Sequence, residues 1–83
     1  MFFTETDRIK IGAIKIENLR EIDFANKKKI KQIIKDIKLG KGYTPIKVSH
    51  DLDHDTYMLK EGLETYMACW KLGFEWIEAE INL

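Results

Sequence analysis

The spacing of hydrophobic positions along this chain changes several times, and each change predicts an element. From Ile9 onward isoleucines alternate with polar residues: Ile9 and Ile11, then Ile14 and Ile16 after a phase shift at Gly12-Ala13. Alternating β-branched residues predict one half-buried strand, with a bulge or bend at the glycine. The first nine or so residues show no clear period, although Phe2 and Phe3 need a place to dock. Leu19 to Ala25 reads as a connector anchored by Leu19, Ile22 and Phe24, and Asn26 suits the N-cap of the next segment.

Residues 27–39 carry the clearest helical pattern. Ile30, Ile33, Ile34 and Ile37 recur at i, i+3, i+4 and i+7, a single stripe that burial must stabilise because isoleucine is a mediocre helix former. Gly40 stands at the C-cap position, and Lys38 complements the negative helix end. Pro45-Ile46-Lys47-Val48 starts a strand, Ser49 to Thr56 reads as a polar loop, and Tyr57 to Lys60 completes a hairpin. Gly62 opens a second helix that runs to about Leu72 and is closed by Gly73; it is apolar over most of its circumference. Ile77, Ala79 and Ile81 alternate with Trp76, Glu78 and Glu80, a strand with one wet face. The order is β-α-β-β-α-β.

Composition adds bounds. With 83 residues the chain is one domain or part of one, 1–83, and its 45% hydrophobic and 34% charged residues are a globular mixture. The single cysteine, Cys69, excludes an internal disulfide framework and is expected to fill the core in a reducing compartment. No apolar run approaches the ~20 residues of a membrane span, and Thr4-Glu5 comes too soon after Met1 for a signal peptide, so a cytoplasmic protein without membrane contact is expected.

Charge is distributed unevenly behind a net value of zero. Residues 26–47 hold eight lysines against Asp36, whereas residues 48–83 hold two lysines against eight acids. Lys27, Lys31, Lys35 and Lys38 line one side of the first helix, a candidate row for weak, sequence-independent contact with nucleic-acid phosphate. The row contains no arginine and no interleaved aromatic residue, which equally describes a solvated helix face.

Ile14-Lys15-Ile16 with Leu19, an isoleucine-rich helix ending near Gly40, Pro45-Ile46-Lys47-Val48, Tyr57-Met58-Leu59, Glu61-Gly62 with Ala68, and Leu72-Gly73 occur in that order. Over about residues 11–81 this series resembles the ParB/sulfiredoxin-like domain, the N-terminal domain of ParB-type partition proteins and its relatives. The resemblance implies an α+β fold, a small mixed sheet of about four strands with two helices. It also implies plasmid, phage or chromosome-maintenance settings. ParB-like members typically carry Gly-Glu-Arg-Arg at the start of the second helix, and sulfiredoxins Gly-Cys-His-Arg. This chain has Gly62-Leu63-Glu64-Thr65, a degenerate form of the motif without arginine or thiol, so the fold transfers and the catalytic residues do not.

The sequence reading is therefore a binding module without catalytic residues, cofactor or metal. It contacts either nucleic-acid phosphate through the lysine row or a protein, including a second copy of itself, through Tyr66, Met67 and Trp70 on the second helix. A divergent ParB-like nucleotide hydrolase or nuclease is the alternative. His50, Asp51, Asp53, His54 and Asp55 have the composition of a metal site, but residues of this kind are common in hairpin loops for turn reasons. Trp70 and Trp76 are expected mostly to serve the core, as large aromatics in small domains do.

Overall fold

A computed structural model describes residues 4–82; the docking of Phe2 and Phe3 falls outside the described residues. Five strands form one sheet: β1 (Thr4–Lys10), β2 (Ile14–Lys15), β3 (Ile46–Asp51), β4 (Thr56–Glu61) and β5 (Trp76–Asn82), in the order β1-β5-β3-β4-β2. Two α-helices, α1 (Lys27–Lys38) and α2 (Leu63–Lys71), pack against each other, and 3₁₀ segments occupy Ile11–Ala13 and Leu19–Phe24.

The α+β class is as expected, but the sheet has five strands rather than about four. The extra one comes from the N-terminus, where the alternation from Ile9 to Ile16 reads as a single strand. Ile9 belongs to β1, antiparallel to β5 with Ile9 opposite Ile77, whereas Ile14 belongs to β2, parallel to β4 with Ile14 opposite Tyr57. The phase shift at Gly12 is thus a 3₁₀ turn that carries the chain from one edge of the sheet to the other. Four residues reach at most about 14 Å, whereas four interstrand spacings in a flat sheet take about 19 Å. The sheet must therefore curl, which brings Ile9 and Ile14 into one core with Ile46, Val48, Ile77, Ala79 and Ile81 around Cys69.

The hairpin strands are longer than hydrophobicity alone suggests. Ser49, His50 and Asp51 pair with Met58, Tyr57 and Thr56, so the polar loop shrinks to Leu52–Asp55. Backbone pairing needs no apolar side chain at a hairpin tip, so the hydrophobic pattern does not register it.

Local signals in the helices hold. Asn26 caps α1 by accepting from Lys29 N–H at 3.1 Å. At the other end Gly40 N–H donates to Ile37 O and Lys41 N–H to Asp36 O, the two bonds of a left-handed C-cap. Ile30 is buried while Ile33, Ile34 and Ile37 are half-buried. Of the connector anchors only Ile22 is half-buried; Leu19 is 70% and Phe24 85% exposed. Trp76 also leaves the core; Ile77, Ala79 and Ile81 take the inner face of β5, and Lys10 Nζ sits 5.6 Å from the Trp76 ring centroid on the outer one.

Candidate functional site

A groove of about 720 Å³ opens where β4 hands over to α2. Its floor depends on Gly62, which has φ +97° and would, with a Cβ, bring that atom within 2.8 Å of Ile46 Cγ2. Only glycine combines this left-handed turn with such close approach to a buried strand residue. The first helical bond of α2 runs from Tyr66 N–H to Gly62 O at 2.9 Å, so the N–H groups of Leu63, Glu64 and Thr65 precede any intrahelical acceptor. Thr65 is 9% exposed and lines the groove.

Around this helix start the tertiary structure assembles three cations: Lys29 from the first turn of α1, Lys41 from the loop after α1, and Lys47 from β3. The motif Gly62-Leu63-Glu64-Thr65 looks poor in cations when read alone, and the fold supplies from a distance what the motif lacks. Carboxylates accompany them. Lys29 Nζ lies 3.6 Å from Glu64 Oε1, Lys47 Nζ lies 3.5 Å from Glu61 Oε2, and Asp36 also lines the groove. No ion pair to a described residue engages Lys41. A bulge at Lys60 places the Lys47–Glu61 pair at the groove wall: Lys47 faces Glu61, while Val48 already faces Leu59.

The lysine row lies elsewhere. Lys27, Lys31, Lys35 and Lys38 are not buried, and none of them lines the groove. Lys29 is two residues, about 200°, around the helix from Lys27 and Lys31. Selecting lysines by stripe therefore passes over the one that faces α2.

The other side of α2 borders an apolar groove of about 560 Å³. Tyr66, Met67 and Trp70, the proposed interface residues, do come together there, opposite Leu19 and Ile22 of the 3₁₀ segment and beside β2. Trp70 is 62% exposed.

Cys69, in contrast, is fully buried as expected, and burial pushes its thiol from 9.0 up to about 11. The hairpin histidines form two separate pairs rather than one cluster. His50 Nε2 is 3.2 Å from Asp55 and the ring stacks on Tyr57 at 4.5 Å, whereas His54 Nδ1 is 2.9 Å from Asp51, whose carboxyl it holds below the usual range. Among the described residues no three metal-ligating side chains converge.

No family model matches this chain, and no curated protein sequence matches it. Solved structures do. Sulfiredoxin from Arabidopsis thaliana superposes with a TM-score of 0.78 at 23% identity, covering 93% of this chain and 83% of that one. A Pnob8-like ParB-N domain superposes at 0.75 with 13% identity, covering 99% of this chain and 31% of that one. The C-terminally truncated chromosome-partitioning protein ParB from Caulobacter crescentus, complexed with CTP-gamma-S, superposes at 0.73 with 13% identity, covering 93% and 43%. The chain therefore has the ParB/sulfiredoxin-like fold, and it spans less than half the length of these ParB chains.

Proposed function

We propose that this chain is a binding module whose polar groove holds the phosphate of a nucleotide or of a nucleic acid without turning it over. One observation carries the reading: Lys29, Lys41 and Lys47, distant in sequence, line one groove with Gly62 and Thr65 at the start of α2, where the first N–H groups have no intrahelical acceptor. Fixed donors plus mobile ammonium groups are what a phosphate needs. The ParB structure with CTP-gamma-S supports it by analogy of fold. Binding without turnover is inferred from the side chains. Leu63 and Thr65 bring neither thiol nor guanidinium to the helix start, and the Cys69 thiol is buried and neutral. Affinity is low, because phosphate has to draw Lys29 from Glu64 and Lys47 from Glu61. A replicon-maintenance setting in the cytoplasm belongs to the same proposal.

The test is a thermal-shift and calorimetric series with ATP, CTP, inorganic phosphate and a short oligonucleotide, each at two salt concentrations. A ligand at 100 times its Kd stabilises the fold by about 2.7 kcal/mol. Stabilisation by nucleotide that Lys41→Gln weakens supports the groove. Binding of the oligonucleotide alone, lost in Lys31→Glu/Lys35→Glu, moves the site to the lysine row. Absence of any shift overturns the reading, and release of free phosphate on incubation with Mg²⁺ favours the hydrolase alternative.

A second reading, docking of a protein or of a second copy through Tyr66, Met67 and Trp70, is favoured by the exposure of Trp70 and Leu19 beside the apolar groove. Sedimentation across a concentration range tests the self-association arm: it should show association that Trp70→Lys removes, and a strict monomer counts against that arm.

A further inference from the structure

The loop between α1 and β3 supplies Lys41 and Thr44 to the polar groove, and it contains no regular structure of its own. Its first residues are held by the α1 C-cap through Lys41 N–H to Asp36 O, and beyond them one side chain ties it to the sheet. Pairing between β3 and β5 begins at Ile46 opposite Ala79, so Glu78 lies one residue before the first pair. Its N–H points past the start of β3, and the Tyr43 hydroxyl receives it at 3.1 Å. Tyr43 thus extends the sheet by one hydrogen bond beyond the end of a strand. Its ring is half-buried against the core cluster that contains Cys69 of α2, and Tyr43 lines the groove together with Lys41 and Thr44.

From this geometry we infer that Tyr43 is the positioning residue of the phosphate groove. It touches no phosphate; it holds Lys41 and Thr44 where the free N–H groups of α2 can act with them. The inference rests on the phosphate reading of the groove and adds to it the element that makes a short irregular loop a fixed wall. Without the hydroxyl, the Glu78 N–H loses its acceptor, and the loop keeps only the packing of the ring and the C-cap bond of Lys41 N–H to Asp36 O. Lys41 then has to be immobilised by the ligand itself, and that cost appears in the affinity.

The experiment is a calorimetric double-mutant cycle with ATP and inorganic phosphate as probes, using wild type, Tyr43→Phe, Lys41→Gln and the double variant at a temperature where all are folded. Tyr43→Phe is expected to weaken ATP by about tenfold, the scale of one lost hydrogen bond. Its effect should largely vanish in the Lys41→Gln background, because one residue acts through the other. In parallel, the Glu78 amide, followed by hydrogen exchange without ligand, should lose protection in Tyr43→Phe. Should that variant not fold, hydrogen exchange of the Glu78 amide in wild type with and without ATP takes its place: protection should rise on binding, and unchanged protection in the bound protein refutes the role. If wild type binds and Tyr43→Phe binds equally well, or if the two losses add, the positioning role is refuted while the phosphate reading stands. Failure of wild type to bind either probe removes both.

Discussion

Replacing Gly62 by alanine separates two effects that are usually merged. The left-handed backbone, φ +97°, costs an L-residue about 1–2 kcal/mol. The added Cβ meets Ile46 at 2.8 Å from Cγ2 and 3.2 Å from Cα. Ile46 is wholly buried and held in β3 between β4 and β5, so the contact is relieved by moving a central strand rather than a flexible tip. Overpacking of this kind costs about 1–3 kcal/mol. Reduced freedom of the unfolded chain returns about 0.4–1 kcal/mol. The net expectation is a loss of about 1–5 kcal/mol, against about 4–12 kcal/mol for a whole domain of this length. Gly40→Ala is the control, since Gly40 has φ +80° but nothing within 4 Å of its would-be Cβ. Urea and thermal unfolding tracked by circular dichroism should place Gly62→Ala below wild type by about 4–8 °C for each kcal/mol lost, with Gly40→Ala showing the backbone cost alone. Equal losses in the two variants would refute the steric argument and with it the close seating of α2 on β3.

Other local features carry outcomes of their own. Asn26→Ala removes the side-chain acceptor of Lys29 N–H and should cost about 1 kcal/mol in thermal unfolding; an unchanged midpoint would deny the cap a role. Glu64→Gln frees Lys29 and removes a negative charge beside the start of α2, so ATP affinity should rise and its salt dependence steepen in calorimetry; a weaker complex would contradict the placement of the groove. The Cys69 thiol keeps its proton to about pH 11 when folded but loses it near 9.0 when unfolded. Its contribution to stability is therefore complete below pH 9.0 and is lost as pH rises toward 11, a fall that chemical unfolding at stepped pH should show and Cys69→Ala should lessen. Tyr43, likewise pushed up by burial, adds in the same direction and leaves a residual slope in that variant.

What is legible in the sequence is what neighbours within a few residues decide. The isoleucine stripe and the Asn26 and Gly40 caps appear where the 3.6-residue period and terminal hydrogen bonding require them. The alternation of β5, and the placing of Cys69 inside, are equally local. Strand β1 is not legible, because in the edge strand Thr-Glu-Thr-Asp-Arg-Ile-Lys the residues from Glu5 to Lys10 bury Ile9 alone among those described and so show no period. Nor can alternation show that Ile9 and Ile14 lie on strands at opposite edges of the sheet, since side-chain parity does not report which strand lies alongside. The resemblance carried by the ordered fragments reaches the right fold and points to the helix start that borders the groove, whereas the lysine row, a real feature of α1, does not line it.

Backbone periods, helix ends and the glycine turn at position 62 are written in the residues, because torsional preference and groups a few bonds apart settle them. That Lys29, Lys41 and Lys47 share one groove at the start of α2, with Glu64 and Glu61 already seated on two of them, follows from the folded arrangement alone. Electrostatic interaction depends on distance in space, and the curl of the sheet together with the docking of α1 on α2 sets those distances.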